Sequence, residues 1–244
     1  MNKFQVLAHR GLASEFVPEN TLKAFADAIH AGADVIETDV QCTKDGVAII
    51  FHDDDLVRMA GIPKKVDECS WKEISVLDIG FGKRIPSLEQ ALKDFPTARF
   101  NLDVKSENAV GPIAEVINRL NAQERILISS FSDRRSLQTA NLIKGLVRTS
   151  AGTLRVLGLW ISCALWATPL YRALGSKVHA LQIPVSRYGL RFDSERFIGM
   201  ALASGLEVHY WTVNDPAEVL RLQSLGATGI VTDCCDLVVA ELGK

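Results

Sequence analysis

No two cysteines of this chain stand in CxxC spacing, and the five present, Cys42, Cys69, Cys163, Cys234 and Cys235, are odd in number. A disulfide framework and a cysteine-bound zinc are therefore not expected, and a reducing compartment is. Charge of one sign is missing too. The 27 Lys and Arg face 29 Asp and Glu, a formal net charge of −2, and no basic block stands out that could neutralise a nucleic-acid backbone. Nucleic acid is accordingly not an expected partner. Apolar runs stay short of the roughly 20 residues that a spanning helix needs, and neither a Ser- or Pro-rich linker nor a low-complexity tract divides the chain. Met1-Asn2-Lys3 leads directly into the apolar run 4–8, which leaves no room for the hydrophobic region and cleavage site of a signal peptide. A cytoplasmic protein is expected.

What is present is an alternation. Short apolar runs at 4–9, 35–40, 47–52, 100–105, 126–131, 146–150, 178–184, 207–213 and 229–232 are separated by helical patterns, the sequence signature of an α/β fold with a parallel sheet. If 47–52 is the antiparallel return of 35–40, eight strand units remain, as in a (β/α)8 TIM barrel, whose typical length of about 250 residues matches these 244. The helix over 21–31 repeats Leu22, Phe25, Ala26 and Ile29 at helical spacing, and Asp215 is a suitable N-cap for a helix over 216–225. One domain spanning 1–244 is expected. Residues 53–86 break the alternation and read as a short insertion on the catalytic face, where barrel loops carry specificity.

Side chains alternate along a strand, so Glu37 and Asp39 in VIETDV share a face, as do Asp103 and Lys105 in NLDVK. Burying like-charged carboxylates side by side costs several kcal/mol per ion unless positive charge satisfies them. A divalent cation would do so. Glu37 and Asp39, with Asp103 as third candidate, form an all-oxygen donor set that favours Mg2+ or Ca2+ over zinc. The competing reading is ion pairing to Lys105 or a nearby arginine. His9 in LAHRG and His52 in IIFHD both stand where strands end, at the rim on which barrel enzymes build their sites. With an ordinary pKa near 6.5, imidazoles suit the proton removal and proton donation that phosphodiester cleavage requires. Arg10 offers a fork of donors for non-bridging phosphate oxygens and Lys105 a point charge. His30, His179 and His209 are read as structural.

These residues lie in a pattern: HRG at 9–11, PENT at 18–21, ETDV at 37–40 and HD at 52–53, followed by RIPSLEQAL, NLDVK, SSF, WTVND and IVTD. In this order and spacing they resemble the glycerophosphodiester phosphodiesterases over nearly the whole chain. The resemblance implies a TIM barrel with His9 and His52 as the acid and base pair, and Glu37 and Asp39 as ligands of a divalent metal. Arg10 and Lys105 would lie near the phosphate, with Trp211 of WTVND as a further substrate-binding candidate. The implied reaction is hydrolysis of phospholipid headgroup diesters to an alcohol and sn-glycerol 3-phosphate. Glu19 and Asn20 of PENT either support the rim or touch ligand. Asp103 departs from the glutamate common at this position of the family, and the shorter side chain would leave water between it and the metal. The insertion at 53–86 is shorter than in many relatives, and a less covered site would admit bulkier alcohols.

The run between Arg155 and Arg172 contains no charge. The reading adopted is a helix and loop between strands five and six, packed on the sheet. The alternative exposes Leu159, Trp160 and Trp166 at the rim, with 156–171 contacting a membrane or an acyl chain, and shifts the substrate toward lysolipids in a lysophospholipase D-type reaction. A barrel that binds phosphodiesters without turning them over is the alternative outside enzymes.

Overall fold

The structure is a computed structural model that describes residues 4–244. Eight parallel strands form a nearly closed barrel: β1 (Gln5–His9), β2 (Val35–Cys42), β3 (Phe100–Val104), β4 (Ile126–Ser129), β5 (Arg148–Thr149), β6 (Ala180–Ile183), β7 (Glu207–Tyr210) and β8 (Gly229–Thr232). Their order is β5-β4-β3-β2-β1-β8-β7-β6, and a single parallel bridge from Ser150 to Ala180 brings the two ends together. The expected eight units are all present. The apolar run after β2 is its antiparallel return, Ala48–Ile50, with Val40 opposite Ile50.

The connecting helices are α1 (Leu22–His30), α2 (Leu88–Asp94), α3 (Val110–Leu120), α4 (Asp133–Leu142), α5 (Thr153–Ala164), α6 (Thr168–Gly175), α7 (Glu195–Ala203), α8 (Pro216–Ser224) and α9 (Cys235–Glu241). Their starts follow local chemistry. Thr21 caps α1 by accepting from the Ala24 N–H, and Asp215 caps α8 by accepting from the Ala217 N–H, with Pro216 in the first turn, where no intrahelical donor is needed.

The strands divide their side chains between two environments. Val6, Ala8, Ile36, Leu102, Ile128 and Val208 point outward and join the helices in the main core. The inward positions hold little apolar material: Leu7, Val35 and Val231, with Trp211 packed against them. Below this layer the barrel floor is polar. Arg148 Nη2 lies 2.6 Å from Glu207 Oε2, and His209 Nε2 lies 3.3 Å from the same oxygen. Burial by itself would raise the Glu207 pKa, but the contacts of His209 and Arg148 outweigh it and hold the carboxyl at about 2. Because the folded value lies below the unfolded one, the associated stability is complete above about pH 4.5 and is lost as pH falls toward 2, a contribution of about 3 kcal/mol at most. Glu207→Gln should therefore melt lower than wild type at pH 7, and the difference should shrink in melts taken toward pH 2.

Residues 53–86 carry a two-stranded hairpin, Asp55–Leu56 with Ile62–Lys65, and a short helix, Trp71–Ile74, capped by Ser70. They pack on a small core of their own that includes Ile49, Phe51, Leu56, Val66 and Ile74.

The uncharged run after Arg155 forms α5 and α6, packed on the barrel through Val156, Leu159 and Cys163. Leu159 is completely buried, which removes it from the exposed set of the alternative reading. Trp160 is half-buried, its indole N–H donating to the Arg191 carbonyl at 2.9 Å, whereas Trp166 is 76% exposed. Among the described residues no helix is long and apolar enough to cross a membrane.

Candidate active site

Three adjacent strands carry ionisable residues to the carboxyl-terminal end of the barrel. His9 closes β1 and is the register partner of Glu37 in β2; two residues on, Asp39 is the register partner of Asp103 in β3. All four open into one cleft of about 710 Å3, together with Arg10, His52, Lys105 and Trp211. Glu19 and Asn20 are not among the residues lining it.

The turn after β1 explains why HRG must be followed by PENT. Arg10 adopts φ +58° and Gly11 φ +83°, and a Cβ on Gly11 would sit 2.7 Å from the Ala24 carbonyl carbon, so only glycine allows α1 to approach this closely. The chain then returns so that the Asn20 N–H donates to the Arg10 carbonyl at 2.9 Å. From there Asn20 Nδ2 donates to Asp39 Oδ2 at 3.0 Å, while its Oδ1 accepts from Thr38 Oγ1 at 2.6 Å. Glu19 Oε1 accepts from Arg10 Nη1 at 2.9 Å and from Arg58 Nη2 at 2.7 Å. PENT thus holds Asp39 and Arg10 from behind.

The carboxylates differ in their partners. Asp39 lies 3.2 Å from Arg10 Nε and 3.3 Å from Lys105 Nζ, and these cations outweigh its burial and hold its carboxyl below the usual range. Asp103 also pairs with Lys105 at 3.3 Å, although burial leaves its pKa raised. Part of the acidic set is therefore ion-paired, as the competing reading expected. Glu37 is different. It is buried, forms no ion pair among the described residues, and receives only the Arg10 backbone N–H at 3.4 Å. Burial, and then the charge of Asp39, push its carboxyl up.

Among the described residues no three His, Cys, Asp or Glu side chains are grouped as a ready metal cage. The donor chemistry still fits one hard cation. Glu37 and Asp39 offer only oxygen, and Glu37 is a buried carboxyl that forms no ion pair among the described residues, a partner that a bound divalent ion would supply. Asp103 is drawn to Lys105 instead.

Each rim histidine is backed by a carboxylate. His9 Nδ1 lies 2.6 Å from Asp233 Oδ1, and Asp233 also accepts from Asn214 Nδ2 at 2.8 Å. Burial and Arg10 press the His9 pKa down, but Asp233 and Glu37 prevail and leave it above the ordinary 6.5. His52 Nδ1 lies 2.7 Å from Asp53 Oδ1, and Arg58 grips Asp53 through Nε at 2.7 Å and Nη2 at 3.0 Å, holding that carboxyl at about 2. In both cases the histidine lines the cleft and Nε2 has no hydrogen-bond partner among the described residues. Asp233, Asp53 and Arg58 went unassigned in the sequence reading. A signal existed for Asp233, a charged residue directly after the last strand, but its partner is 224 positions away. Arg58 gave none.

Across the cleft, Phe131 and Trp211 meet edge to face at 5.9 Å. Beside them Val156, Leu157, Ile183, Leu190 and Phe192 form an apolar wall.

Fold and cleft together define a (β/α)8 barrel whose mouth combines paired histidines, buried carboxylates and cationic side chains. The sequence profile of the glycerophosphoryl diester phosphodiesterase family matches residues 9–237, and the chain belongs to this family. It is 36% identical to the probable glycerophosphodiester phosphodiesterase 2 of Mycobacterium tuberculosis, over 95% of this chain and 88% of that one. It is 33% identical to a glycerophosphodiester phosphodiesterase of Caldanaerobacter subterraneus, over 95% and 94%. Among solved structures, an Oleispira antarctica phosphodiesterase in complex with the product sn-glycerol-3-phosphate superposes with a TM-score of 0.81 at 25% identity, covering 98% of this chain and 97% of that one.

Proposed function

We propose that this protein hydrolyses glycerophosphodiesters to an alcohol and sn-glycerol 3-phosphate, with His9 and His52 as acid and base and one divalent cation, Mg2+ or Ca2+, held by Glu37 and Asp39. The observation that carries this reading is the pair of carboxylate-backed histidines opening into the same cleft as the buried Glu37, which forms no ion pair among the described residues.

His9 is the acid. Asp233 and Glu37 hold its pKa above the ordinary value despite burial, which favours the protonated form that can give a proton from Nε2 to the departing alkoxide. His52, with Asp53 fixing the Nδ1 side, takes the proton of the attacking glycerol 2-hydroxyl in a cyclising step; when water opens the cyclic diester the roles exchange, His9 taking the proton of water and His52 returning its own to the departing 2-oxygen. Lys105 spends donors on Asp39 and Asp103 and keeps one of its three for a phosphate oxygen; Arg10 keeps its Nη2 side for the same purpose. A cation bound by Glu37 and Asp39 would supply further positive charge to the phosphate and balance the buried carboxylates. Trp211 and Phe131 offer a face for the glycerol or alcohol carbon atoms.

The test is release of glycerol 3-phosphate from glycerophosphocholine by metal-stripped protein, with and without Mg2+ or Ca2+. A barrel that only binds diesters would release none.

A second substrate reading, lysolipids in a lysophospholipase D-type reaction, is supported by the apolar wall of Val156, Leu157, Ile183, Leu190 and Phe192 beside the polar centre. A small alcohol does not need such a wall, whereas an acyl-bearing substrate would bury carbon against it. Lysophosphatidylcholine should then be turned over with a lower KM than glycerophosphocholine, and Leu190→Asp should raise KM for the lysolipid alone. Equal KM values for the two substrates would reject this reading.

A further inference from the structure

An ordinary barrel helix is apolar toward the sheet and polar toward water. Helix α5 is apolar on both faces. Val156, Leu159 and Cys163 are buried on the barrel, while Leu154, Leu157, Ile161 and, just past the helix end, Leu165 form an outward stripe at spacings of three and four residues. Their exposures are 80%, 39%, 43% and 72%. The stripe continues into Trp166 and into Leu170 of α6, 76% and 52% exposed.

Two further observations say what covers this face. The first is charge. Between Asp133 and Asp193 there is no other Asp or Glu, yet nine Lys and Arg occur, in a chain whose formal net charge is −2. Arg172, Lys177 and Arg187 are exposed and make no ion pair among the described residues, and Arg196 stacks over the Trp166 ring at 3.3 Å. The second is continuity. Leu157 belongs to both the outward stripe and the cleft wall, and the hairpin that follows β6 raises Tyr188, 90% exposed with Arg187 over its ring, beside the same cleft. Phe16 and Phe81, 61% and 59% exposed and meeting edge to face at 5.3 Å, add an apolar pair on the loops after β1 and β2, which rise from the same end of the barrel.

Aliphatic side chains with Trp and Tyr, in a stretch that carries exposed arginine and lysine and no Asp or Glu between Asp133 and Asp193, suit the boundary between acyl chains and anionic headgroups. We infer that the outward face of α5 and α6, with Trp166 and Tyr188, docks on the surface of an anionic phospholipid bilayer and brings the mouth of the catalytic cleft to the lipid. The contact is peripheral, and it is independent of which diester the cleft turns over.

The experiment is co-sedimentation of the full chain with vesicles of phosphatidylcholine alone and of phosphatidylcholine with phosphatidylglycerol, at low and high salt. Tryptophan emission is followed in parallel. Binding to the anionic vesicles is expected, with a blue shift that Trp166→Phe removes and a loss of binding at high salt. Leu165→Asp combined with Trp166→Asp should weaken vesicle binding at least tenfold, and Arg172→Glu should weaken it only for the anionic vesicles. Turnover of glycerophosphocholine should be unchanged in both variants, which keeps failure of docking separate from failure of the catalytic reading and reports that the variants are folded. Absence of wild-type binding to both vesicles, equal binding by the Asp variant, or a dimer that this variant dissociates in the absence of any vesicle binding would each overturn the proposal.

Discussion

Alanine at His9 or at His52 should lower kcat for glycerophosphocholine by about 10²- to 10⁴-fold while leaving the fold in place, since in the proposed mechanism each substitution removes one of the two proton carriers. Both side chains stand at the rim and line the cleft rather than fill the core, so circular dichroism and melting should stay close to wild type. The two positions differ in what lies behind them, and that difference has its own readout. Asp233 lifts the His9 pKa against burial and Arg10, which press it down. Asp233→Asn removes the lifting charge and keeps a hydrogen-bonding group. The His9 proton is then lost at lower pH, so the alkaline limb of the kcat/KM profile should move acidward. An unmoved limb in Asp233→Asn would assign the acid to another group. Asp53→Asn provides the comparison on the His52 side, where Arg58 clamps the carboxylate and the same exchange disturbs orientation.

Removing the proposed divalent cation, or Glu37 as its proposed ligand, is expected to have the other large effect. Chelation, or Glu37→Gln, should lower turnover by about 10³-fold, the consequence of losing several kcal/mol of charge stabilisation at the phosphate. Stability should respond in the opposite direction. The folded-state pKa of Glu37 is raised, so stability is highest below the unfolded carboxyl pKa and falls as pH climbs through the folded value. In chelator at pH 8, Glu37→Gln should therefore melt above wild type, since it occupies the same space without the unpaired charge. Mg2+ or Ca2+ should raise the wild-type melting temperature and leave that of Glu37→Gln unmoved. A metal-induced shift that survives in Glu37→Gln would assign the ion to other ligands. The ion pairs of Asp103 with Lys105 and of Asp39 with Arg10 and Lys105 mean that Asp103→Asn should act more through the position of Lys105 than through metal affinity.

The strands were legible because burial on both faces or on one leaves a short apolar run whose period does not depend on distant partners. The inward direction of Glu37, Asp39, Asp103 and Lys105 could be read for the same reason: alternation is a local property of the strand. Partnerships were not legible. Nothing near His9 in the chain announces Asp233, which reaches it only because β8 closes on β1. Arg58 lies only five positions from Asp53, but its second partner, Glu19, is 39 positions away and is met only through the tertiary fold. The apolar run after Arg155 shows the same limit in another form. Its composition invited either a packed helix or an exposed one, and the helix is both, since one face meets the barrel and the other is equally apolar.

The amino-acid sequence alone determined the eight-unit α/β plan, the side of each strand on which its ionisable residues stand, and the residue types available for acid, base and cation binding, because all of these follow from chain-local periodicity and chemistry. Which carboxyl is buried without an ion pair, which histidine has its pKa raised by a carboxylate partner and which leucines of α5 face water were decided only by the tertiary structure. Each depends on the distance to groups that the barrel's closure, and not the order of the chain, brings within a few ångströms.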